Sequence, residues 1–147
     1  MILHAALFNR DWVIALLANK APTARKILAR IQKAYENLPD FLKLGVVEWS
    51  KGSVEFENGT RIMAESSSSE NIRGESCNFL YIDEVAFVKD WEDFSQSVLP
   101  TLSAGKTTRI VLSSTPKGLN HFYYYVKNAR EKKNDFALVE VPWHRVP

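Results

Sequence analysis

The chain has 147 residues, the length of one domain, and 46% of them are hydrophobic, which is enough for a sizeable core. A formal net charge of +2 is too small to indicate nucleic-acid binding by itself, and a single cysteine, Cys77, excludes an internal disulfide. The longest apolar run, residues 12–18, is too short to cross a bilayer, and charged residues break any signal peptide, so we predict a soluble intracellular protein.

The first elements in the chain follow an α/β pattern. Residues 2–8 are predicted to end a helix, and residues 12–18 form a continuous apolar run with β-branched members. Such a run is typical of a strand buried on both faces of a parallel sheet. Pro22 then opens a helix whose apolar residues recur with a 3.6-residue period, and Pro39 ends it.

Two short alternating segments, residues 46–49 and 53–56, come next and end at a turn signal, Asn58-Gly59. A two-residue turn would place Phe56 opposite Arg61. A three-residue loop with Gly59 in the left-handed conformation instead pairs apolar with apolar and charge with counter-charge: Val54 with Ile62, and Glu55 with Arg61. We predict this second register.

Buried strands alternate with helices in the second half of the chain. Residues 79–82 and 110–112 are apolar strands, and Cys77 leads into the first of them as a buried small residue. Helical spacing covers residues 91–99 and 119–130, and residues 136–141 read as a last strand. Together the elements predict an α/β parallel sheet with one inserted hairpin.

Asp83 and Glu84 directly follow the strand predicted at residues 79–82. Ligands of open α/β sheets bind at the carboxyl ends of the strands. In ATPases of this kind an Asp at this point holds Mg²⁺, usually through water, and a following Glu polarises the attacking water. Neighbouring residues of a strand point in opposite directions, so Glu84 reaches a γ-phosphate only if the strand ends there. Acidic residues also occur at the ends of strands that simply meet solvent. A second motif favours the functional interpretation of Asp83 and Glu84.

That second motif is a run of hydroxyls, Ser113, Ser114 and Thr115, after the strand at residues 110–112. Hydroxyl groups can hydrogen-bond a γ-phosphate or its water and report hydrolysis to the rest of the fold. Ser and Thr before a proline are also ordinary turn residues. Because the motif follows an Asp-Glu strand within an α/β pattern, we favour the functional interpretation.

Residues 103–107 (SAGKT) look like the second half of the phosphate-binding loop G-x-x-x-x-G-K-S/T. Pro100 occupies the first glycine position, and a helix precedes the segment where a strand should. We interpret it as a surface loop, and the sequence offers no other phosphate-binding loop. Arg73, beside Gly74, is a candidate for stabilising γ-phosphate charge in its own or a neighbouring subunit, although a solvated arginine is nearly as good an interpretation.

Four segments resemble the ATPase domain of tailed-bacteriophage terminase large subunits, particularly those of T-even-like phages. They are residues 46–53 (VVEWSKGS), 72–74 (IRG), 81–87 (YIDEVAF) and 114–123 (STPKGLNHFY). The similarity runs through almost the whole chain, and the last two segments together are quite specific. The resemblance implies a three-layer P-loop NTPase fold of the ASCE/RecA-like type.

The resemblance also implies a DNA-packaging motor that binds ATP and Mg²⁺ in the host cytoplasm, at the portal of the procapsid. Its partners would be double-stranded DNA, the portal protein and the small terminase subunit, within a homo-oligomeric ring and without a membrane. Asp83 matches the Mg²⁺-binding Walker B aspartate, Glu84 the catalytic glutamate and Arg73 a candidate arginine finger. The coupling motif is matched by Ser113, Ser114 and Thr115.

Two departures from the family limit this expectation. The family's Walker A loop would lie before Met1 and its nuclease domain after Pro147, so residues 1–147 correspond to a partial ATPase domain. We therefore expect the isolated chain neither to bind ATP tightly nor to hydrolyse it. A superfamily-2-type helicase fragment and an inert truncated remnant are the alternatives, and Asp83-Glu84-Val85-Ala86 does not continue as a helicase motif would.

Overall fold

The computed structural model of the chain describes residues 1–68, 76–103 and 108–145. Its helices are α1 (Ile2–Phe8), α2 (Ala21–Glu36), α3 (Trp91–Ser103) and α4 (His121–Arg130). Its strands are β1 (Val13–Ala18), β2 (Val46–Trp49), β3 (Ser53–Phe56), β4 (Arg61–Ser66), β5 (Phe79–Ile82) and β6 (Arg109–Leu112). Short 3-10 turns cover Asp40–Leu42, Val85–Phe87 and Trp143–Arg145. The elements predicted up to residue 130 are present, with boundaries shifted by at most a few residues.

The described strands form one six-stranded sheet in the order β2-β3-β4-β1-β5-β6. Strands β4, β1, β5 and β6 are parallel, and β2 and β3 join them as an antiparallel extension. Helices cover both faces, so the architecture has three layers. The structure confirms the predicted parallel α/β sheet with an inserted hairpin.

The apolar run of β1 explains its central place in the sheet. Ile14, Leu16 and Ala18 pack into the cluster on the face of α1 and α2. Ala15 and Leu17 pack into the cluster on the opposite face, with α3. All of these side chains are fully buried, as expected for a strand that is covered on both faces.

The turn between β3 and β4 has the predicted register. Val54 lies opposite Ile62 and Glu55 opposite Arg61, and Gly59 has a φ of +79°. A Cβ at Gly59 would come within 2.1 Å of the side chain of Asp11. The loop therefore needs glycine for its left-handed backbone, whereas the exposed Asp11 carboxylate can rotate away from an added Cβ.

The predicted strand at residues 136–141 is wrong, because these residues pair with no strand of the described sheet. Phe136 packs edge-on against Tyr125 of α4 at 5.6 Å between ring centroids. Val139 and Val141 are 83% and 69% exposed, respectively. An alternating pattern forms a strand only where an edge supplies backbone partners, and here the segment packs against α4 instead.

Two smaller predictions concern burial and membranes. Cys77 is 3% exposed, which confirms it as a buried small residue. Across the three described ranges, no helix has both the length and the apolar character needed to cross a bilayer.

Replacing Gly59 with Ala should lower the free energy of unfolding by about 1–2 kcal/mol, because an L-residue resists the left-handed conformation of this position. Chemical denaturation measures the effect. Gly52→Ala in the β2–β3 turn is the matched control, since no atom lies within 4 Å of its added Cβ. Equal losses in both variants would contradict the predicted role of Gly59.

Candidate functional site

Parallel pairing places Asp83 beside Ser113 at the carboxyl edge of the sheet. Ile82 of β5 lies opposite Leu112 of β6, so the following residues of the two strands leave the sheet at the same level. The amide of Ser113 donates to the carbonyl of Ile82 over 3.0 Å. The amide of Asp83 donates to the carbonyl of Leu17 in β1 over 2.8 Å. The two strand-end motifs therefore meet at one place.

A chain of hydrogen bonds orients the Asp83 carboxylate. Ser113 Oγ donates to Asp83 Oδ1 over 2.8 Å, and the hydroxyl of Tyr81 lies 2.9 Å from Ser113 Oγ. Because an ionised carboxylate only accepts, the proton of Ser113 is committed to Asp83 and Tyr81 donates to Ser113. Tyr81 also makes a longer contact of 3.5 Å with Asp83 Oδ1. The two hydroxyls thus hold one carboxylate oxygen in place.

Burial raises the pKa of the Tyr81 hydroxyl above its usual 10.0, and the negative charge of Asp83 raises it further. The Ser113 hydroxyl, which could donate to the ionised phenolate, and the positive charge of Arg30 lower the pKa but do not offset these two effects. Tyr81 consequently remains a protonated donor at neutral pH. The direction of the hydrogen-bond chain toward Asp83 is fixed in that range.

Glu84 leaves the strand in the left-handed conformation, with φ +53° and ψ +42°. This conformation costs an L-residue about 1–2 kcal/mol, and glutamate is not among the residues that adopt it readily. Strand β5 ends at Ile82, so Glu84 is not bound to point away from Asp83 as the next residue of a strand would be. The side chain is exposed. Asp11, Asp90 and Lys132 have a similar positive φ, so what distinguishes Glu84 is its place at the carboxyl end of β5 beside Asp83.

The turn after Glu84 is fastened to the segment between β6 and α4. The amide of Ala86 donates to Ser114 Oγ over 3.1 Å, and its carbonyl accepts from Asn120 Nδ2 over 3.1 Å. Asn120 Oδ1 also accepts from the amide of Tyr123 over 3.2 Å, which caps α4. One asparagine therefore couples the start of α4 to the residues that follow Glu84.

His121 fixes the same turn from the other side. Its Nε2 lies 2.6 Å from the carbonyl oxygen of Val85, and since a carbonyl only accepts, Nε2 carries the proton. The imidazole stacks on Trp91 of α3 with 4.7 Å between ring centroids and 5° between planes. Lys117 Nζ lies 4.3 Å from the centroid of the Phe87 ring, a cation–π contact. The turn is thus held by His121 of α4, whose ring in turn packs on Trp91 of α3.

The structure brings together four of the predicted site residues at one edge: Asp83, Glu84, Ser113 and Ser114. The hydroxyl of Ser114 is engaged by Ala86, and Thr115 is exposed. Arg73 lies outside the described residues, as do residues 104–107 of the segment that looks like a phosphate-binding loop. The roles assigned to all of these residues stay predictions.

The donor set around Asp83 fits a magnesium ion that is held mainly by water and substrate. Among the described residues, no group of three or more acidic, histidine or cysteine side chains forms a metal cage. Mg²⁺ keeps several waters and commonly uses one or two carboxylates together with phosphate oxygens. Asp83, with the Ser113 hydroxyl beside it, supplies oxygen donors of that kind.

Sequence reasoning missed three residues of the site: Tyr81, Asn120 and His121. A signal existed for Tyr81, because residues two apart on a strand share a face and Tyr81 precedes Asp83 by two. Asn120 before a helical run carries an N-cap signal. Its contact with Ala86 carries none, since 34 residues separate the two.

Comparisons with known proteins agree on one family and one fold. The family described as terminase large subunit, T4likevirus-type, N-terminal, matches residues 1–146. The Thermus phage P74-26 large terminase ATPase domain has a TM-score of 0.71 and 22% identity, covering 85% of this chain and 56% of that one. The HK97 bacteriophage large terminase has a TM-score of 0.73 and 17% identity, covering 90% and 29%. The chain thus spans little more than half of the first and under a third of the second.

The raised pKa of Tyr81 predicts a pH dependence at alkaline pH. An acid whose pKa is raised by folding contributes stability below its unfolded value, and loses it as pH rises through the folded value. The free energy of unfolding should therefore decline above pH 10.0, and less steeply in Tyr81→Phe. Denaturant titrations of both proteins at several alkaline pH values measure this. Identical declines would contradict it.

Asn120→Ala should lower the free energy of unfolding by about 1–2 kcal/mol, because it removes the cap of α4 and leaves the carbonyl of Ala86 without that donor. Asn128→Ala, a change of the same chemistry inside α4, is the control and should be close to neutral. Thermal or chemical denaturation compares the two. A loss in Asn128→Ala as large as in Asn120→Ala would argue against the anchoring role.

Proposed function

Because the chain belongs to the terminase large subunit family, T4likevirus-type, N-terminal, we propose that it forms part of an ATPase motor that drives double-stranded DNA into a procapsid. The family is an ATPase family. The observation that carries the proposal is the meeting of Asp83, fixed by Ser113, with the strained Glu84 at the carboxyl edge of the sheet. ATP and Mg²⁺ are the proposed ligands of this edge.

In the proposed reaction Asp83 holds Mg²⁺, directly or through water. The bound ion would neutralise charge on the β- and γ-phosphates of ATP. Ser113 and Tyr81 keep the Asp83 carboxylate oriented while one oxygen is committed to their hydrogen bond. Glu84 polarises the attacking water as a general base. Because the backbone of Glu84 leaves the strand direction, Glu84 and Asp83 can act on different groups, the water and the metal ion.

Coupling between hydrolysis and movement is proposed to start at the hydroxyl motif. Ser113 contacts Asp83, and Ser114 contacts the turn after Glu84. Asn120 and His121 connect the same turn to α4. A displacement at the strand end would therefore reach α4 through a few short contacts. Thr115, next in the motif, is exposed and free to meet ligand.

The phosphate grip is proposed to come from residues outside this chain, because the sequence contains no phosphate-binding loop. Arg73 is the proposed arginine finger, acting in its own subunit or a neighbouring one. The portal protein, the small terminase subunit and other copies in a ring are the proposed partners in the host cytoplasm. No observation favours the helicase alternative, and the family match favours a terminase.

Glu84→Gln tests the proposed chemistry in a polypeptide in which a phosphate-binding loop and its strand are joined ahead of residue 1. We expect Mg²⁺-dependent ATP hydrolysis whose kcat falls about 10²–10⁴-fold in Glu84→Gln, because a general base contributes that much. The KM for ATP should change little. Steady-state phosphate release measures both constants.

Two controls accompany this experiment. Glu92→Gln, an exposed acid in the first turn of α3, should leave kcat unchanged. The isolated 147-residue chain should show no turnover above background. Turnover by the isolated chain that Glu84→Gln abolishes would contradict the proposed need for an external loop, and equal activity of Glu84→Gln and wild type would overturn the role of Glu84.

A further inference from the structure

The modest net charge of the chain hides a strong local imbalance. Between Trp12 and Tyr35 the sequence has five basic residues and no acidic one. The whole chain carries only +2, so the remaining residues together are net negative. Four of these cations lie in α2 and Lys20 directly precedes it, while Glu36, the last residue of the helix, is its one acidic residue.

The cations of α2 share its solvent-facing side. Ala24 and Leu28 are buried against the sheet, whereas Arg25, Lys26, Arg30 and Lys33 are exposed. Lys26, Arg30 and Lys33 have the i, i+4, i+7 spacing that aligns side chains along one helix face. At 1.5 Å per residue their Cα atoms span about 10 Å of helix. We call Arg25, Lys26, Arg30 and Lys33 the α2 stripe.

The α2 stripe has one acidic neighbour on its own helix, Glu36, which follows Lys33 by three positions and forms no ion pair with it. Elsewhere cations pair with acids: Lys43 with Asp40, Arg130 with Glu140 and Lys133 with Glu131. No member of the stripe forms an ion pair with a described residue. Glu65 of β4 alternates with Ala64, which packs under α2, and so belongs to the opposite face of the sheet.

This arrangement works against the stability of the helix itself. Lys26, Arg30 and Lys33 are like charges at i, i+4 and i, i+3 positions, which repel one another. The helix begins after Lys20 and has no acidic residue in its first turn, although acids are stabilising at that end. A binding partner that supplies dense negative charge would relieve both costs.

The exposed neutral side chains next to the cations are short. Ala29 is the exposed neutral residue between the cations, Pro22 and Ala34 flank them, and the exposed Glu36 ends the helix. The stripe therefore offers cations without any exposed aromatic side chain of its own for stacking on a base. Such a surface fits a phosphate backbone that it contacts without reading sequence.

We infer that the α2 stripe is a contact surface for the phosphate backbone of double-stranded DNA. Each strand of duplex DNA carries one phosphate per about 3.4 Å of helix axis, so a stretch of one strand about 10 Å long presents about three phosphates to the stripe. The inference rests on the proposed function, because a packaging motor acts on duplex DNA. It adds to that function a specific DNA-contacting element, helix α2.

Fluorescence anisotropy of a labelled DNA duplex with the 147-residue chain tests the inference at several salt concentrations and without nucleotide. The test variant combines Arg25→Gln, Lys26→Gln, Arg30→Gln and Lys33→Gln, because glutamine keeps helix propensity. We expect binding at low salt to weaken by at least about thirtyfold, and the slope of log K against log salt to fall by about 0.9 per lost contact.

A control variant removes the same number of charges from other elements: Lys89→Gln, Lys127→Gln, Lys132→Gln and Lys133→Gln, all exposed positions. It should retain wild-type affinity within about threefold and keep the wild-type salt slope. Equal weakening of both variants would show an effect of net charge alone and overturn the inference. Absence of binding by the wild type at low salt would also overturn it.

Folding of each variant is checked by its thermal transition, and relief of like-charge repulsion should leave the α2 variant at least as stable as the wild type. If the fourfold variant does not fold, Lys26→Gln with Lys33→Gln gives the same comparison. If a folded α2 variant binds DNA with wild-type affinity while hydrolysis still depends on Glu84, the role of the α2 stripe in DNA binding is overturned and the proposed reaction stands. A stripe effect without Glu84-dependent hydrolysis would overturn the proposed reaction alone.

Discussion

The parallel pairing of β5 with β6 is the constraint on which the candidate site depends. Ile82 opposite Leu112 brings Asp83 and Ser113 to one level, and only then can the Ser113 hydroxyl reach the carboxylate. On its other side β5 pairs with β1, which supplies the Leu17 carbonyl that accepts from the Asp83 amide. A shift of one residue would turn the two side chains to opposite faces of the sheet.

The turn after Glu84 shows how a strained residue is kept in place. The left-handed backbone of Glu84 persists because the next residues are held from several directions, by Ser114, Asn120 and His121. These partners belong to the segment that carries the hydroxyl motif and starts α4. The acidic pair and the hydroxyl motif are therefore parts of one packed unit, and a change at one has a short physical route to the other.

Acidic and basic side chains of functional interest lie in different parts of the structure. Acidic groups that the proposed chemistry needs lie at the carboxyl edge of the sheet, whereas α2 on one outer layer gathers unpaired cations. The small net charge of +2 results from 19 basic and 17 acidic residues distributed over the whole chain. Net charge alone was consequently a poor guide to what the surface of this protein can bind.

Much of the fold was determined by the sequence alone, because apolar runs, helical periods and the Asn58-Gly59 turn are local signals. The three-residue loop and its register followed from matching side chains across two adjacent strands. Tertiary structure alone decided that residues 136–141 pack on α4 instead of pairing as a strand, since an alternating pattern does not reveal which edge is available. It also decided the links of Tyr81 to Ser113, and of Asn120 and His121 to the turn at Val85–Phe87. These contacts join residues about 30 or more positions apart, and their geometry exists only after the strands have paired and the helices have packed.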